Sequence, residues 1–215
     1  DGKELSMVFS FHHLKVDFMG NEKWVIVPFD FQKLKDIIFD WQVKMAEHKA
    51  WNAVFWCNHD QPRVVSRFGN VKNYWKESAK MLGTVVHCLR GTPYIYQGEE
   101  LGMTNPGFTR IEQYKDVESR NHFRILQEKG LSEENAYQIL QIHSRDNSRT
   151  PMQWDETKNA GFTTGDPWIE VTKNHSYINA KAELEDPDSI FQHYKKLVQL
   201  RKDYDIIAYG DIEPL

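Results

Sequence analysis

The sequence predicts an α/β fold built around a parallel β-sheet. Short apolar segments of strand-like length recur along the chain, and segments with apolar residues at helical spacing separate them. Parallel strands need crossover helices between them, so the order strand, helix, strand, helix, strand, long excursion, helix indicates three consecutive βα units. A complete eight-unit barrel takes about 250 residues, and three units are too few to close one.

The first unit covers residues 5–45. Residues 5–11 form an apolar run that suits a short buried strand, and residues 15–29 have the composition of a loop. Asp30 is the predicted N-cap of the first helix. The apolar residues that recur at helical spacing after this cap are Phe31, Leu34, Ile37, Ile38, Trp41 and Met45.

The second and third units repeat this pattern. Residues 51–57 predict a second strand, and residues 76–90 predict a helix that Gly91 ends as its C′ residue. Residues 92–96 predict the third strand.

Helices and loops fill the remainder of the chain. The apolar spacing predicts helices near residues 117–129, 132–143 and 189–202, and the polar segments 144–151 and 151–188 are predicted loops.

Composition narrows the class of protein. A formal net charge of −4, from 27 basic and 31 acidic residues, argues against non-specific nucleic-acid binding. Apolar runs are too short for a transmembrane helix, so we expect no membrane partner. Cys57 and Cys88 lie in apolar segments outside any C-x-x-C motif, which favours two buried free thiols in the cytoplasm over a disulfide or a zinc site.

Polar side chains follow each predicted strand directly. Because the carboxyl ends of parallel strands meet at one edge of a sheet, we expect these side chains to converge there. A rim of carboxylates, imidazoles and aromatic rings suits a site where positive charge develops, as in glycosidic cleavage, whereas a His-Asp pair that only fixes a loop is the alternative. The residues in question are His12, His13, Lys15, Asn58, His59, Asp60, Glu99 and Glu100.

Three segments carry a family resemblance that extends over essentially the whole chain. Residues 55–63 (FWCNHDQPR), 94–103 (YIYQGEELGM) and 144–154 (SRDNSRTPMQW) resemble the α-amylase superfamily, glycoside hydrolase family thirteen, in its oligo-1,6-glucosidase branch. The resemblance implies that residues 1–205 are the C-terminal half of a (β/α)₈ TIM barrel, about strands six to eight with their helices. It also implies that residues 206–215 start a truncated C-terminal β-sandwich domain.

The same resemblance implies roles for four residues. Asp60 would be the carboxylate that stabilises the transition state by holding hydroxyls of the sugar, and His59 would hydrogen-bond the same sugar. Arg145 would reach into the pocket to orient a carboxylate or bind the sugar, and Glu118 would face the pocket. A structural ion pair at the base of the loop is the alternative for Arg145, and loop shaping is the alternative for Glu99 and Glu100.

The segment around Lys15 indicates which group of enzymes within this branch the chain resembles. Residues 11–17 (FHHLKVD) resemble trehalose-6-phosphate hydrolases, whereas oligo-1,6-glucosidases tend to carry an acidic residue at the position of Lys15. An ammonium group beside the pocket suits a phosphate on the leaving glucose, and Lys23 could assist. A solvated lysine is the alternative.

The resemblance also implies that much of the catalytic machinery lies elsewhere. A retaining glycosidase needs a nucleophile and a general acid/base, and in this superfamily both carboxylates close earlier strands, which would lie upstream of Asp1. We therefore expect the parent protein to hydrolyse trehalose 6-phosphate with retention and the 215-residue piece alone to be inactive. The expected partners are a sugar or sugar-phosphate substrate and the missing N-terminal half of the barrel. No cofactor or metal is expected in this piece.

Two further alternatives remain open. An oligo-1,6-glucosidase or general α-glucosidase differs only in the leaving group that it accepts. A non-catalytic heavy chain of an amino-acid transporter carries a related ectodomain, but the intact residues 58–60 and the unbroken Arg145 loop argue against it. The start at Asp1 without Met suggests the middle of a longer chain, although processing or cloning could also produce it.

Overall fold

Three short parallel strands form the centre of the molecule. The computed structural model describes residues 4–213, and its strands are β1 (Val8–Phe9), β2 (Asn52–Phe55) and β3 (Thr92–Tyr94). Their order in the sheet is β1-β2-β3, and both pairings are parallel. The predicted α/β arrangement is therefore confirmed, with strands shorter than the apolar runs that predicted them.

Residues 4–213 also form eight α-helices. Each of the five predicted helices is present within a few residues of its predicted bounds, and short helices that the pattern did not predict join them. The helices are α1 (Phe31–Glu47), α2 (Val64–Phe68), α3 (Trp75–Cys88), α4 (Val117–Glu128), α5 (Glu133–His143), α6 (Ala180–Glu185), α7 (Ile190–Asp203) and α8 (Asp205–Tyr209).

Side-chain caps fix where four of the five longer helices begin; α3 begins without one. The Asp30 carboxylate accepts a hydrogen bond from the Lys33 backbone N–H at 2.9 Å, as the sequence predicts. Asp116 caps α4 in the same way through the Ser119 N–H at 3.0 Å. Ser132 and Ser189 cap α5 and α7.

The main core lies between the sheet, α2, α3 and α7. Trp56 is buried in it, and its indole N–H donates to the Leu82 carbonyl at 2.8 Å. Helix α3 approaches α7 so closely at Gly83 that a Cβ there would lie 2.6 Å from the Tyr194 ring. This packing holds the sheet and its flanking helices together as one body.

A second core joins α4 and α5 to the loops on either side of them. Trp24 and Ile169 are buried against these helices, and the Trp24 ring stacks on His122 with the ring centroids 4.6 Å apart. The α4–α5 pair is thereby fixed to segments that lie far from it in sequence.

Residues 151–188, predicted as loop, contain more structure than the pattern suggests. They hold two 3-10 turns (Lys158–Gly161 and Lys173–Ser176) and helix α6. Backbone hydrogen bonds join the start of this segment to its end. Ala180 N donates to Gln153 O at 2.9 Å, and Lys181 N donates to Trp154 O at 3.0 Å.

Two local predictions are wrong. Cys57 is buried but Cys88 is exposed, because Cys88 is the last residue of α3; both are free thiols. Leu89, not Arg90, caps α3, so Gly91 lies beyond the C′ position. Gly91 instead takes a positive φ of 121° where its backbone passes against the Asn52 carbonyl, leaving no room for a side chain.

The C-terminal segment forms the short helix α8. The Tyr209 ring packs on Trp51 with the ring centroids 5.1 Å apart, and Ile212 contacts the main core. A domain boundary at residue 206 stays a prediction. Within residues 4–213, no helix is long and apolar enough to cross a bilayer.

One face of the sheet carries aromatic side chains that remain partly exposed. Phe9 lies 4.8 Å from Tyr94 and 5.5 Å from Phe55 between ring centroids, and Phe11 also contacts Phe55. Phe9, Phe11, Tyr94 and Ile95 each keep two-fifths to half of their surface exposed. This aromatic face borders the candidate site described below.

Candidate active site

The chain turns sharply where β2 ends, and this turn presents Asp60. The Asn58 side-chain carbonyl accepts a hydrogen bond from the Asp60 backbone N–H at 2.8 Å, which closes the turn. The Asp60 carboxylate remains 43% exposed, and the His59 imidazole lies 3.2 Å from it. Two polar side chains therefore face solvent at the carboxyl end of the central strand, as the sequence predicts.

A 3-10 turn (Arg145–Ser148) brings two arginines to this carboxylate. The Ser148 hydroxyl donates to the Asn58 carbonyl at 3.1 Å, so the turn is tied directly to the end of β2. Arg149 Nη2 lies 2.7 Å from Asp60 Oδ1, and Arg145 Nη1 lies 3.6 Å from the same oxygen. Arg149 also donates from Nε to the His59 carbonyl at 2.7 Å.

The first turn of α4 supplies two more carboxylates. Asp116, the N-cap, accepts from Arg145 Nη2 at 2.7 Å, and Glu118 Oε2 lies 3.2 Å from Arg145 Nε. Burial tends to raise the pKa of Asp116, but the hydrogen bonds from Arg145 and Ser119 outweigh it and hold that pKa below its ordinary value. Asp116 is therefore ionised at neutral pH.

Buried Asp146 holds this turn of α4 against the arginine-bearing loop. Its Oδ2 accepts from the backbone N–H groups of Lys115 at 2.6 Å and Asp116 at 2.8 Å. Arg149 Nη1 lies 3.7 Å from its other oxygen. The positions of Asp116 and Arg149 thus depend on one another.

Lys23 completes the cluster from the opposite side. Its Nζ lies 3.5 Å from Glu118 Oε2 and 4.6 Å from the centre of the Trp24 ring. Burial lowers the pKa of Lys23, an effect that the charge of Glu118 opposes.

The structure brings together Asp60, His59, Arg145 and Glu118, the four residues to which the resemblance implies roles in the pocket, with Lys23 beside them. Arg145 also forms the structural ion pairs that were the alternative to a sugar-binding role. Contact between Arg145 and a sugar stays a prediction. Sequence reasoning did not assign Asp116 and Arg149, which are central here. The N-cap position of Asp116 and the spacing of Arg149, one helical turn after Arg145, were the available signals.

Lys15 lies apart from this cluster. It belongs to the 3-10 turn His12–Lys15, is exposed, and lines a groove between that turn and α1, together with Lys33, Trp41 and Lys44. Within residues 4–213, neither a hydrogen bond nor an ion pair joins its ammonium group to the carboxylates of Asp60, Asp116 or Glu118.

Convergence at one rim is wrong for five of the eight strand-end residues. Lys15 lies apart, and His12 lines the same groove and stacks on Trp41 with 5.5 Å between the ring centroids. The other three are Glu99, Glu100 and His13. Glu99 is buried under the rim, where the Tyr194 hydroxyl donates to it at 3.0 Å, and Glu100 is largely buried beside it. Burial raises the pKa of Glu99 to about 8, although the Tyr194 hydrogen bond opposes this effect. His13 packs edge-on against Phe55, and burial lowers its pKa to about 4.

The cluster suits recognition of sugar hydroxyls. Carboxylate oxygens accept, and guanidinium and imidazole groups donate, so Asp60, His59 and Arg145 can together satisfy a diol. Asp60, Asp116 and Glu118 each form an ion pair with Arg145. Among residues 4–213, no group of three or more His, Cys, Asp or Glu side chains is arranged to hold a metal ion.

Comparison with known proteins shows which family the chain resembles. The family model described as alpha amylase, catalytic domain, matches residues 1–210. The chain is 60% identical over 213 residues to a trehalose-6-phosphate hydrolase of Bacillus subtilis, covering 99% of this chain and 38% of that protein. It is 50% identical over 210 residues to an oligo-1,6-glucosidase of Halalkalibacterium halodurans, covering 98% and 37%.

A solved structure shows the same likeness. The crystal structure of the trehalose-6-phosphate hydrolase of Bacillus licheniformis superimposes with a TM-score of 0.94 at 60% sequence identity, covering 96% of this chain and 37% of that one. The chain thus spans about two-fifths of the length of the proteins that it matches.

Proposed function

The chain belongs to the alpha-amylase catalytic-domain family, and from this premise we propose that it is part of a retaining α-glucosidase that hydrolyses trehalose 6-phosphate to glucose and glucose 6-phosphate. Its relatives are TIM-barrel glycoside hydrolases, and the chain matches part of their barrel. We assign residues 1–205 to strands six to eight of that barrel and residues 206–215 to the start of the next domain. The N-terminal half of the barrel is the partner that this arrangement needs.

The observation that carries the proposal is the Asp60 cluster. Asp60 is exposed enough to meet a substrate, while Arg149 and Arg145 hold its carboxylate on one side. In the proposed mechanism this carboxylate accepts hydrogen bonds from hydroxyls of the glucose at the cleavage point. These bonds strengthen as the ring flattens toward an oxocarbenium-like transition state. His59 donates to the same sugar.

The nucleophile and the general acid/base are proposed to come from outside this chain. A general acid must be protonated at working pH, which requires a raised pKa. Asp116, whose pKa is lowered, does not suit that task, and the carboxylates of Asp60 and Glu118 are engaged in ion pairs with arginine. In the complete enzyme these groups bind and orient substrate while two other carboxylates break the glycosidic bond.

The leaving group distinguishes the two closest candidate functions. Lys15 presents an exposed ammonium in the turn that follows β1, whereas the ammonium of Lys23 is paired with Glu118. A free ammonium group such as that of Lys15 suits the phosphate of a sugar phosphate. The likeness to an oligo-1,6-glucosidase supports the alternative, a neutral leaving glucose. A sugar phosphate is charged and does not cross membranes unaided, so the proposal includes a cytoplasmic location.

The experiment compares two substrates in the full-length protein that contains this chain. Trehalose 6-phosphate and p-nitrophenyl α-glucoside share the glucose at the cleavage point and differ in the leaving group. Asp60→Asn is expected to lower kcat/KM on both substrates by about 10²–10³-fold, as for loss of one transition-state contact. Lys15→Glu is expected to lower kcat/KM about tenfold or more on the phosphorylated substrate only, because one ion pair becomes a repulsion.

Asp166→Asn, a carboxylate-to-amide change at an exposed loop position, is the matched control and should leave both values unchanged. Equal effects of Lys15→Glu on the two substrates would contradict the phosphate assignment. Wild-type hydrolysis of isomaltose in preference to trehalose 6-phosphate would favour the oligo-1,6-glucosidase alternative.

A further inference from the structure

A buried arginine on α2 connects the two parts of the candidate site that have no direct contact. The Arg67 side chain is only 3% exposed, and its guanidinium makes four hydrogen bonds. Two go to the Asp17 carboxylate, from Nε at 2.7 Å and from Nη2 at 2.5 Å. The third goes from Nη2 to the Leu14 carbonyl, and the fourth from Nη1 to the Gln61 side-chain oxygen at 2.8 Å.

These partners belong to two segments with separate roles. Leu14 and Asp17 flank Lys15, the candidate contact to the leaving group. Gln61 follows Asp60, the candidate contact to the glucose that is cleaved. Asp17 and Leu14 lie 50 and 53 residues before Arg67 in the sequence, and Gln61 lies 6 residues before it. No local turn could connect segments that are this far apart.

The geometry of the guanidinium group is what makes the connection specific. A planar fork can donate in parallel to both oxygens of one carboxylate while its remaining N–H groups point elsewhere, and an ammonium group cannot. Burial makes the arrangement costly to break, because removing one partner leaves a charge without compensation away from water. Phe68 and Phe18 lie against the guanidinium, with 5.1 Å and 5.9 Å between Cζ and the ring centroids, and restrict its movement.

We propose that Arg67 is a positioning residue that sets the distance between the Lys15 turn and the Asp60 loop, and so couples recognition of the leaving group to recognition of the glucose. The part that concerns the leaving group rests on the proposed function; the part that concerns Asp60 holds for any α-glucoside.

The test measures kcat and KM of three variants of the full-length protein on trehalose 6-phosphate and p-nitrophenyl α-glucoside. Gln61→Leu removes only the bond to the Asp60 loop and should lower kcat about equally on both substrates. Asp17→Asn weakens only the bonds to the Lys15 turn and should raise KM for the phosphorylated substrate selectively. Arg67→Lys should do both, with a loss in kcat/KM of up to about 10²-fold on the phosphorylated substrate, the scale of a 1 Å misplacement.

Arg110→Lys is the matched control, because Arg110 is exposed and its guanidinium pairs with exposed Glu170. Wild-type kinetics in folded Arg67→Lys would overturn the proposal. An equal loss on both substrates from all three variants, in step with a lower Tm, would also overturn it by showing a structural role alone. If Arg67→Lys does not fold, Gln61→Leu decides, since that change leaves no buried charge unpaired.

Hydrolysis of the aryl glucoside but not of trehalose 6-phosphate by the wild-type protein would reject the proposed function. The kinetics of Gln61→Leu on the aryl glucoside would still test the link from Arg67 to the Asp60 loop.

Discussion

Charge balance governs the candidate site at the level of single residues. Three carboxylates, on Asp60, Asp116 and Glu118, face Arg145 within 3.6 Å. Without the arginine these acids would repel one another. The ion pairs offset that repulsion and hold in place the Asp60 carboxylate, which is proposed to bind the sugar.

The buried carboxyl of Glu99 predicts a dependence of stability on pH. Burial raises the pKa of Glu99 to about 8, from an ordinary value of 4.5. Between these values the unfolded chain releases the proton while the folded chain keeps it, so stability falls as pH rises toward 8. Glu99→Gln removes this loss and keeps an acceptor for Tyr194.

Thermal unfolding of the full-length protein at pH 5 and pH 8 measures this effect. The Tm of Glu99→Gln minus the Tm of the wild type should become more positive as pH rises from 5 to 8, because only the wild type loses stability over this range. Glu185→Gln, at an exposed position on α6, is the control and should show no such trend. A Tm difference that is constant with pH would contradict the raised pKa.

Residues adjacent to a strand end could be predicted from the sequence, and residues that meet across the chain could not. Asp60 and His59 follow β2 directly, so the apolar run that predicts the strand also locates them. The pairing of Arg149 with Asp60 joins residues 89 positions apart. Only the motif of residues 144–154, through its resemblance to known enzymes, indicated that this loop approaches the site.

At the scale of whole elements, the packing of α3 on α7 leaves no free space at Gly83. A Cβ at this position would lie 2.6 Å from Cε2 and 2.8 Å from Cζ of the buried Tyr194 ring. In an exposed helix, replacing glycine by alanine usually stabilises the protein. At position 83 the added methyl group must displace a ring whose hydroxyl also donates to Glu99.

Gly83→Ala is therefore expected to destabilise the protein by about 1–3 kcal/mol, the usual effect of overpacking a core. Chemical denaturation of the full-length protein gives the free energy of unfolding. The control is Gly165→Ala, whose new methyl group would meet its nearest neighbour, Thr163 Oγ1, at an ordinary 3.8 Å. A neutral or stabilising Gly83→Ala would mean that α7 yields at this contact.

Element length explains which secondary structure the sequence could predict. Helices α1, α3, α4, α5 and α7 have 11 to 17 residues, enough for the apolar period to repeat. Helices α2 and α6 have 5 and 6 residues, so each shows little more than one turn of that period. They form because tertiary packing stabilises them, as at buried Val64 and Val65.

For the molecule as a whole, the aromatic face and the ion-paired carboxylates both indicate that further strands of a barrel pack against this sheet. The face of the sheet at Phe9, Phe11 and Tyr94 has no covering layer within residues 4–213, and a row of partly exposed rings on a sheet favours association. A barrel in which further strands close the circle would cover that face. The same strands would bring to the Asp60 cluster the two carboxylates that are proposed to lie outside this chain.

The 215-residue chain purified by itself is accordingly expected to hydrolyse neither trehalose 6-phosphate nor p-nitrophenyl α-glucoside. The full-length protein, assayed in parallel at equal molar concentration, is the positive control. Size-exclusion chromatography should show the isolated chain as associated species. Hydrolysis by the isolated chain, free of full-length contaminant, would mean that Asp60, Asp116 or Glu118 performs the catalytic steps assigned to carboxylates outside it.

The hydrogen bonds that join the two ends of the segment between Trp154 and Ala180 determine what happens when a protease cleaves the chain within that segment. The hydrogen bonds from Ala180 to Gln153 and from Lys181 to Trp154 hold the two ends side by side without help from the residues between them. A peptide bond cut near exposed Asp166 would therefore create two new termini but leave α7 seated against α3. The nicked protein would migrate as two bands in denaturing gels and travel as one particle in solution.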